Sequence, residues 1–141
     1  MIATKTKSKK KKRDLLDRPI LGTVLLVDDV DASRLAAKWF LEGYGYAVDS
    51  ARSAEQALAL FDPRVHDIIV TDNTMSWMSG SEMAQVVRAR SPQTPVIMYT
   101  GNPPQDRSCV DLVIPKPAHL LVVKEALDSA LRARRGPPPA R

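Results

Sequence analysis

The 141-residue sequence is poor in several residue types, and each shortage excludes a class of protein. It contains one cysteine, Cys109, so an internal disulfide framework is excluded and a reducing compartment is favoured. Its two histidines, His66 and His119, do not have the spacing of metal ligands. No apolar run in it reaches the length of a signal peptide or a membrane-spanning helix. We therefore expect a soluble cytoplasmic protein.

Acidic residues are absent from both ends of the chain, which are basic instead. Residues 1–13 hold seven Lys and Arg, and residues 132–141 hold four more. Without those eleven, ten basic residues stand against 16 acidic ones, so residues 14–131 carry a formal charge of −6 while the whole chain carries +5. The hydrophobic content of 44% is enough for the core of one globular domain.

This composition divides the chain into three segments. Residues 1–19 are predicted to form a basic flexible arm, residues 20–134 a single domain, and residues 135–141 a Pro-rich tail. The arm has charges suited to the phosphates of nucleic acid or of an anionic membrane. It lacks the aromatic residues for base stacking and the apolar residues for insertion. We favour a solvated arm, with electrostatic tethering as the alternative.

Short β-branched runs alternate with helical stretches through the domain. Strands are predicted over residues 23–27, 47–50, 67–71, 95–99 and 111–114. Helices are predicted over residues 33–41, 54–61, 82–90 and 118–134, and Ser53 and Gln56 have the spacing of a capping box. Several strands are apolar throughout, as in a sheet covered on both faces. The alternation predicts an α/β fold with a doubly wound, five-stranded parallel sheet.

The connection between the fourth and fifth predicted strands is unusually short. Only residues 105–110 of it are free to be helical, because Asn102-Pro103-Pro104 precede them. Six residues make roughly 9 Å of helix, which is too little to cover a sheet. We therefore expect the fourth crossover helix to be short or missing.

Five polar residues follow predicted apolar strands. Asp28 and Asp29 follow the first strand and Asp72 follows the third. Thr100 follows the fourth strand and Lys116 follows the fifth. The carboxyl ends of parallel strands lie at one edge of the sheet, where sites form, so we expect these residues to meet. Carboxylates without neighbouring His or Cys suit Mg²⁺ or Mn²⁺.

The chemistry of these five residues suits phosphoryl transfer onto a carboxylate. Asp72 can act as the nucleophile, while the metal ion neutralises developing charge. Thr100 offers a hydroxyl and Lys116 a compact positive charge to hold phosphoryl oxygens. The reaction depends on positioning more than on acid or base catalysis.

Four stretches together resemble the receiver domain of two-component response regulators. They are LLVDD at 25–29, IVTDNTM at 69–75 with Gly80 beyond, PVIMYTG at 95–101, and Lys116-Pro117. The resemblance covers about residues 22–134 and implies a flavodoxin-like (CheY-like) strand order of 2-1-3-4-5.

The resemblance also implies a role for each site residue. Asp72 is then the phosphoacceptor, and it binds the metal ion together with Asp28, Asp29 and the backbone carbonyl of Thr74. The phosphoryl group is bound by Thr100 and Lys116, and its hydrolysis is tuned by the side chains of Thr74 and Asn102. A cis peptide bond is expected before Pro117.

By this resemblance the chain is a single-domain response regulator. It would accept a phosphoryl group from a histidine kinase or histidine phosphotransfer protein in a Mg-dependent reaction, and signal through phosphorylation-dependent contact with a downstream protein. We expect no enzyme activity beyond self-catalysed phosphoryl transfer and slow autodephosphorylation. Three alternatives stay open: a metal-dependent aspartyl-phosphate hydrolase, a basic nucleic-acid-binding module, and a receiver-like domain that only docks. The hydrolase usually has a second Asp where Thr74 stands.

Two positions depart from the receiver pattern. Val113 stands where many receivers have a switch Tyr or Phe, and Ser76 where proline is frequent. With the short fourth crossover, these departures indicate a complete phosphorylation site with an altered path from that site to a partner.

Overall fold

The computed structural model describes residues 19–135. Residues 1–18, nearly all of the predicted basic arm, and residues 136–141 of the predicted Pro-rich tail lie outside it. The described elements are β1 (Thr23–Val27), α1 (Asp31–Gly43), β2 (Ala47–Ala51), α2 (Ala54–Leu60), β3 (Ile68–Thr71), α3 (Gly80–Arg90), β4 (Val96–Thr100), β5 (Leu112–Pro115) and α4 (Leu120–Arg135). None of the helices described between residues 19 and 135 is long and apolar enough to cross a membrane.

The five strands form one parallel sheet in the order β2-β1-β3-β4-β5, as predicted. β1 pairs with β2 on one side and β3 on the other, so that Val27 lies between Ala51 and Thr71. Strands β1 and β3 are buried along nearly their whole length, since helices cover both faces of the sheet.

Successive strand residues point to opposite faces, which divides the core in two. Val24, Leu26 and Ile97 pack with α1 and α4, whereas Leu25 and Val27 pack with α2 and α3. The last helix supplies Val123, Leu127 and Leu131 to the first cluster, and Leu120 and Ala130 are partly buried against it. The intervals of three and four between Leu120, Val123, Leu127 and Ala130 predict this face, and the structure adds Leu131.

Three helices begin at other residues than predicted, α1 at Asp31 instead of 33, α3 at Gly80 instead of 82 and α4 at Leu120 instead of 118. Helix α3 begins at Gly80 instead of residue 82, because Ser79 accepts a hydrogen bond from the Glu82 N–H while the Glu82 side chain accepts one from the Ser79 N–H. At α2 the predicted capping box is incomplete. Ser53 caps the helix by accepting from Gln56 N–H, but the Gln56 side chain accepts from the Arg52 N–H instead.

Two aspartates that were predicted as first strand residues close the strand ends. Asp67 donates its N–H to the Thr23 carbonyl and accepts the Thr23 N–H on Oδ2. Asp111 forms the same pair of bonds with Val96. The carboxylates thus accept the backbone N–H groups at the starts of the neighbouring strands. Because Asp67 and Asp111 bond through their side chains there, β3 and β5 begin one residue later than predicted.

The β4–β5 connection contains no helix, which confirms the prediction for the fourth crossover. It contacts α3 instead. The Arg88 guanidinium donates to the Cys109 carbonyl over 3.2 Å, and the Ser81 hydroxyl donates to the Asp106 carbonyl over 3.2 Å. These bonds satisfy loop carbonyls that a helix would otherwise pair internally.

Candidate functional site

Asp28, Asp72 and Lys116 meet at the carboxyl edge of the sheet. The Lys116 Nζ lies 3.4 Å from Oδ2 of Asp72 and 3.7 Å from Oδ2 of Asp28. The carboxylates follow the neighbouring strands β1 and β3, while Lys116 follows β5, two strands further. The long lysine side chain spans that distance and places one cation beside two anions.

Asp28 is buried, and its neighbours act on the pKa of its carboxyl in opposite directions. Burial raises the pKa of its carboxyl above the usual value, because the charged form loses hydration. A hydrogen bond from the Val30 N–H, at 2.9 Å, and the Lys116 charge lower the pKa. The neighbouring charges of Asp72 and Asp29 raise it again. A further cation at this position would therefore be favoured.

Arg34 holds the backbone that carries Asp28. Its buried guanidinium donates to the Asp28 carbonyl over 2.8 Å and to the Asp31 carboxylate in the first turn of α1. The hydrogen bond from Arg34 lowers the pKa of Asp31. Sequence reasoning missed Arg34, although Asp31 and Arg34 have the spacing of a helical ion pair.

Asp72 is positioned by the loop between β3 and α3. Its Oδ1 accepts the Asn73 N–H over 2.6 Å, while Oδ2 faces Lys116. The Asn73 carbonyl accepts the Gly80 N–H, and the Asn73 side chain accepts the Ser81 N–H. Asn73 therefore joins the loop to the start of α3, a role that the sequence did not reveal.

Gly80 lies directly against the backbone of Asp72. A Cβ at this position would be 2.1 Å from the Asp72 carbonyl oxygen, far inside van der Waals contact. Only glycine permits this approach. Gly80, which belongs to the receiver-like motif after Asp72, thus allows the start of α3 to lie close to Asp72.

Thr100 is buried at the end of β4 and linked to the β3–α3 loop through Asn102. The Thr100 hydroxyl oxygen accepts the Asn102 N–H over 3.1 Å. The Asn102 carbonyl accepts from the Asn73 side chain at 3.0 Å, and the Asn102 amide donates to the Thr74 hydroxyl at 2.8 Å. The structure thus joins Thr74 and Asn102, the two side chains expected to tune hydrolysis.

The peptide bond between Lys116 and Pro117 is cis, as the resemblance implied. The Lys116 N–H donates to the Thr100 carbonyl over 2.9 Å, which continues the β4–β5 pairing past the strand. Lys116 and Thr100 are therefore side by side at the same edge.

Asp29 is not part of the assembled group. It is exposed, whereas Asp28 is buried and Asp72 half-buried. Within residues 19–135, no three acidic, histidine or cysteine side chains are close enough to share one ion. The ligand set of Asp28, Asp29, Asp72 and the Thr74 carbonyl stays a prediction.

The residues present nevertheless fit a small divalent cation. Asp28 and Asp72 line a cavity of about 20 Å³, which is close to the space that one water-sized ligand occupies. The charged groups that line it are the carboxylates of Asp28 and Asp72, whose oxygens are of the kind that Mg²⁺ prefers. Burial has raised the pKa of the Asp28 carboxyl, so a neighbouring positive charge would stabilise its ionised form.

Comparison with known proteins identifies one domain family. Residues 24–134 match the model of the response regulator receiver domain family. The chain is 33% identical over 79 residues to the autoinducer 1 sensor kinase/phosphatase LuxN of Vibrio campbellii. Those residues are 56% of this chain and 9% of LuxN. The chain thus spans about a tenth of the length of that relative.

Solved structures agree in fold. A CheY-like receiver domain protein from Methanospirillum hungatei is 26% identical with a TM-score of 0.76, covering 82% of this chain and 97% of that one. TrrA of Thermotoga maritima, solved with Mg²⁺ and BeF, is 25% identical with a TM-score of 0.73, covering 78% and 99%.

TrrA has also been solved in complex with the histidine kinase ThkA, with 26% identity and a TM-score of 0.73 over 79% of this chain and 100% of that one. The strand order, the acidic edge with its lysine and the family match over 24–134 lead to one conclusion. This chain belongs to the response regulator receiver domain family.

Proposed function

We propose that Asp72 accepts a phosphoryl group from a phosphohistidine and that the chain then signals through a protein contact. Receiver domains are signalling domains of two-component systems, not enzymes in the usual sense, and generally bind Mg²⁺ at an acidic pocket. The observation that carries the proposal is the distance of 3.4 Å between Asp72 Oδ2 and Lys116 Nζ, beside Thr100 at the carboxyl edge.

In the proposed step an Asp72 carboxylate oxygen attacks phosphorus. The P–N bond of the phosphohistidine breaks, its electron pair goes to the imidazole nitrogen, and that nitrogen takes up a proton. Asp72 Oδ1 accepts the Asn73 N–H over 2.6 Å, whereas Oδ2 accepts from the Lys116 ammonium over a longer 3.4 Å, so Oδ2 is the less tightly held oxygen and the one that attacks. No general base is required, because the carboxylate is already the nucleophile.

Lys116 and Thr100 bind the oxygens of the transferred group. The Lys116 ammonium stabilises negative charge as the P–O bond forms. The Thr100 hydroxyl oxygen accepts the Asn102 N–H, so its proton remains available to donate to a phosphoryl oxygen. Bound Mg²⁺, held by Asp28, Asp29, Asp72 and the Thr74 carbonyl, would supply further positive charge to those oxygens.

The phosphodonor is proposed to be a histidine kinase or a histidine phosphotransfer protein. Helix α1 presents the exposed side chains of Ala32, Leu35, Ala36 and Trp39. Ala36 lines a groove of about 330 Å³ together with Lys116 and Pro117, so this apolar face continues to the phosphorylation site. A kinase donor of this kind implies a cytoplasmic location for the chain. The complex of TrrA with the kinase ThkA is a precedent among similar proteins.

Labelling with a small phosphodonor tests the chemistry without a partner. We expect acetyl phosphate to label the full chain only when Mg²⁺ is present, and Asp72→Asn to abolish the label. Asp106→Asn is the matched control, since Asp106 lies in the β4–β5 loop and bonds Ser108. Label that persists in Asp72→Asn or in excess EDTA would refute the proposed mechanism.

Two variants test the donor surface separately. Trp39→Ala should slow phosphotransfer from a phosphorylated kinase roughly tenfold, and Leu35→Ala should slow it less, because aromatic anchors supply most of the binding energy in such contacts. Labelling by acetyl phosphate should be unchanged. Equal loss with both donors would mean that α1 supports the fold and not the kinase.

The downstream partner is proposed to bind the phosphorylated form. Beryllofluoride at Asp72 is the probe, because it imitates a phosphoryl group without hydrolysing. A protein retained by the full chain with beryllofluoride, and released without it, identifies the output. Retention that is equal in both states would contradict phosphorylation-dependent signalling.

A further inference from the structure

Tyr99 lines two neighbouring spaces, the acidic cavity and the groove beside Lys116. It is the second-last residue of β4 and is half-buried against the cluster under α1 and α4. Its ring lines the small cavity that contains Asp28 and Asp72. It also lines the groove of about 330 Å³ that contains Lys116 and Pro117. One ring therefore contributes a wall to both spaces.

The Tyr99 side chain contacts the chain on both sides of Pro117. The Lys116 Nζ lies 4.9 Å from the centre of the ring, within the range of a cation–π interaction. The Tyr99 hydroxyl donates a hydrogen bond to the Ala118 carbonyl over 2.7 Å. The ring thus acts on the lysine ammonium, and the hydroxyl acts on the backbone that follows it.

We infer that Tyr99 is a positioning residue for Lys116 during phosphoryl transfer. This inference rests on the proposed function, in which Lys116 binds a phosphoryl oxygen. A lysine side chain has several rotatable bonds and a strongly hydrated head, so an unsupported Lys116 would spend much of its time in water. The ring limits those conformations before the donor arrives, which lowers the entropy lost in the transition state.

The two parts of the tyrosine can be separated by substitution. Tyr99→Phe keeps the ring and removes the hydroxyl, whereas Tyr99→Leu removes both. A matched control exists on the other side of the domain, where Lys124 Nζ lies 4.9 Å from the Tyr44 ring. Tyr44→Leu removes a cation–π contact of the same length from residues outside the site.

The test measures the rate of labelling by acetyl phosphate with Mg²⁺ for the full chain and its variants. Tyr99→Leu should lower the rate roughly three- to tenfold, the size expected for a partly desolvated cation–π contact. Tyr99→Phe should stay within about twofold of the unsubstituted chain, because the ring remains. Tyr44→Leu should have no effect.

A double-mutant cycle shows whether Tyr99 acts through Lys116. In a Lys116→Met background, adding Tyr99→Leu should lower the rate no further. An equal loss in both backgrounds would show that Tyr99 supports only the fold and would overturn the inference. If Lys116→Met itself leaves the rate unchanged, the proposed role of Lys116 fails as well, so the two failures are distinguishable.

A second measurement does not depend on phosphorylation or on folding of the leucine variant. In the metal-free chain, the ring should shift the NMR signals of the Lys116 side-chain methylene next to the ammonium upfield. The shift should persist in Tyr99→Phe. Signals at random-coil positions in both proteins would overturn the inference.

Discussion

The side-chain amide of Asn102 donates a hydrogen bond to the hydroxyl of Thr74 over 2.8 Å. The two residues are 28 positions apart and follow different strands, so their bond joins two loops that border Asp72. Side chains that bond each other act as one unit, because removing either leaves the other without support. This pair is therefore well placed to control the access of water to a phosphorylated Asp72.

We expect Thr74→Ala and Asn102→Ala each to shorten the lifetime of the phosphorylated form roughly threefold, corresponding to the loss of one hydrogen bond. The double variant should be no shorter-lived than the more affected single variant. The decay of label after removal of the phosphodonor measures this. Multiplying effects would show that the residues act independently.

A second prediction concerns the contact between Gly80 and the Asp72 carbonyl. Because an added Cβ would lie 2.1 Å from that oxygen, Gly80→Ala should push the β3–α3 loop away. We expect a loss of about 2 kcal/mol in the free energy of unfolding. Labelling of Asp72 should slow roughly tenfold or more, since the nucleophile is displaced.

Gly43 provides the control, because nothing lies within 4 Å of a Cβ built there. Gly43→Ala, at the end of α1, should be neutral or stabilise by about 0.5 kcal/mol. Urea unfolding measures both variants. Equal stability of the Gly80 and Gly43 variants would contradict the close approach.

Arg34 is predicted to support the metal site through the Asp28 backbone. Arg34→Ala removes the donor to the Asp28 carbonyl and should cost about 2 kcal/mol of stability. It should also weaken Mg²⁺ binding several-fold, because Asp28 loses its fixed orientation. Arg64→Ala is the control, since the Arg64 side chain is 88% exposed in its pair with Asp62. Removing that exposed pair should leave stability almost unchanged.

Substitutions at Asp28 and Asp29 should separate the effect of a buried charge on stability from its effect on metal binding. Burial raises the pKa of Asp28, so its charge destabilises the metal-free fold at neutral pH. Asp28→Asn should stabilise that fold by about 1 kcal/mol and weaken Mg²⁺ binding. Asp29→Asn should weaken Mg²⁺ binding with little change in stability, because Asp29 is exposed.

Thermal unfolding with and without Mg²⁺ checks both variants. Added Mg²⁺ should raise the Tm of the unsubstituted chain more than that of either variant, since only binding to the folded state shifts the midpoint. Equal shifts in all three proteins would remove both aspartates from the metal site.

The hydrogen-bonded carboxylate of Asp128 should make the stability of the fold depend on pH. Partial burial raises the pKa of its carboxyl, but hydrogen bonds from Lys124 and Tyr46 outweigh that effect and hold the pKa below its ordinary value of 3.8. A lowered folded-state pKa contributes stability above the unfolded value and loses it as pH falls through the folded value. Asp128→Asn should therefore cost about 1 kcal/mol at neutral pH and progressively less below about pH 4.

Urea unfolding at pH 7 and pH 3 measures that difference. Glu125→Gln removes the same charge from an exposed position of α4 and should change stability little. A cost of Asp128→Asn that is the same at both pH values would mean that its carboxylate charge does not contribute.

Local pattern was enough to predict most of the fold. Apolar β-branched runs marked all five strands, and the boundaries differ from the structure by one residue at most. The helix starts were less accurate, since the Ser79 and Glu82 capping box lies before the apolar period begins. The missing helix before β5 followed from chain length and prolines alone. These features are local, so neighbouring residues determine them.

The site was only partly predictable. That Asp72, Thr100 and Lys116 share an edge follows from where strands end in a parallel sheet. That Asp28 is buried and pairs with Lys116 while Asp29 is exposed was not predictable, because adjacent residues at a strand end differ only in how the chain turns.

The sequence by itself determined the strands, the identity of the acidic edge and the family to which its motifs belong. Only the tertiary structure decided that Arg34 donates to the Asp28 carbonyl, that Asn102 bonds Thr74, and that the Tyr99 ring lies 4.9 Å from the Lys116 Nζ. The last two contacts join residues on different elements, and all three depend on how each side chain rotates against its packed neighbours. Rotamers are selected by the finished core and not by the local chain, so such contacts appear only when the fold is complete.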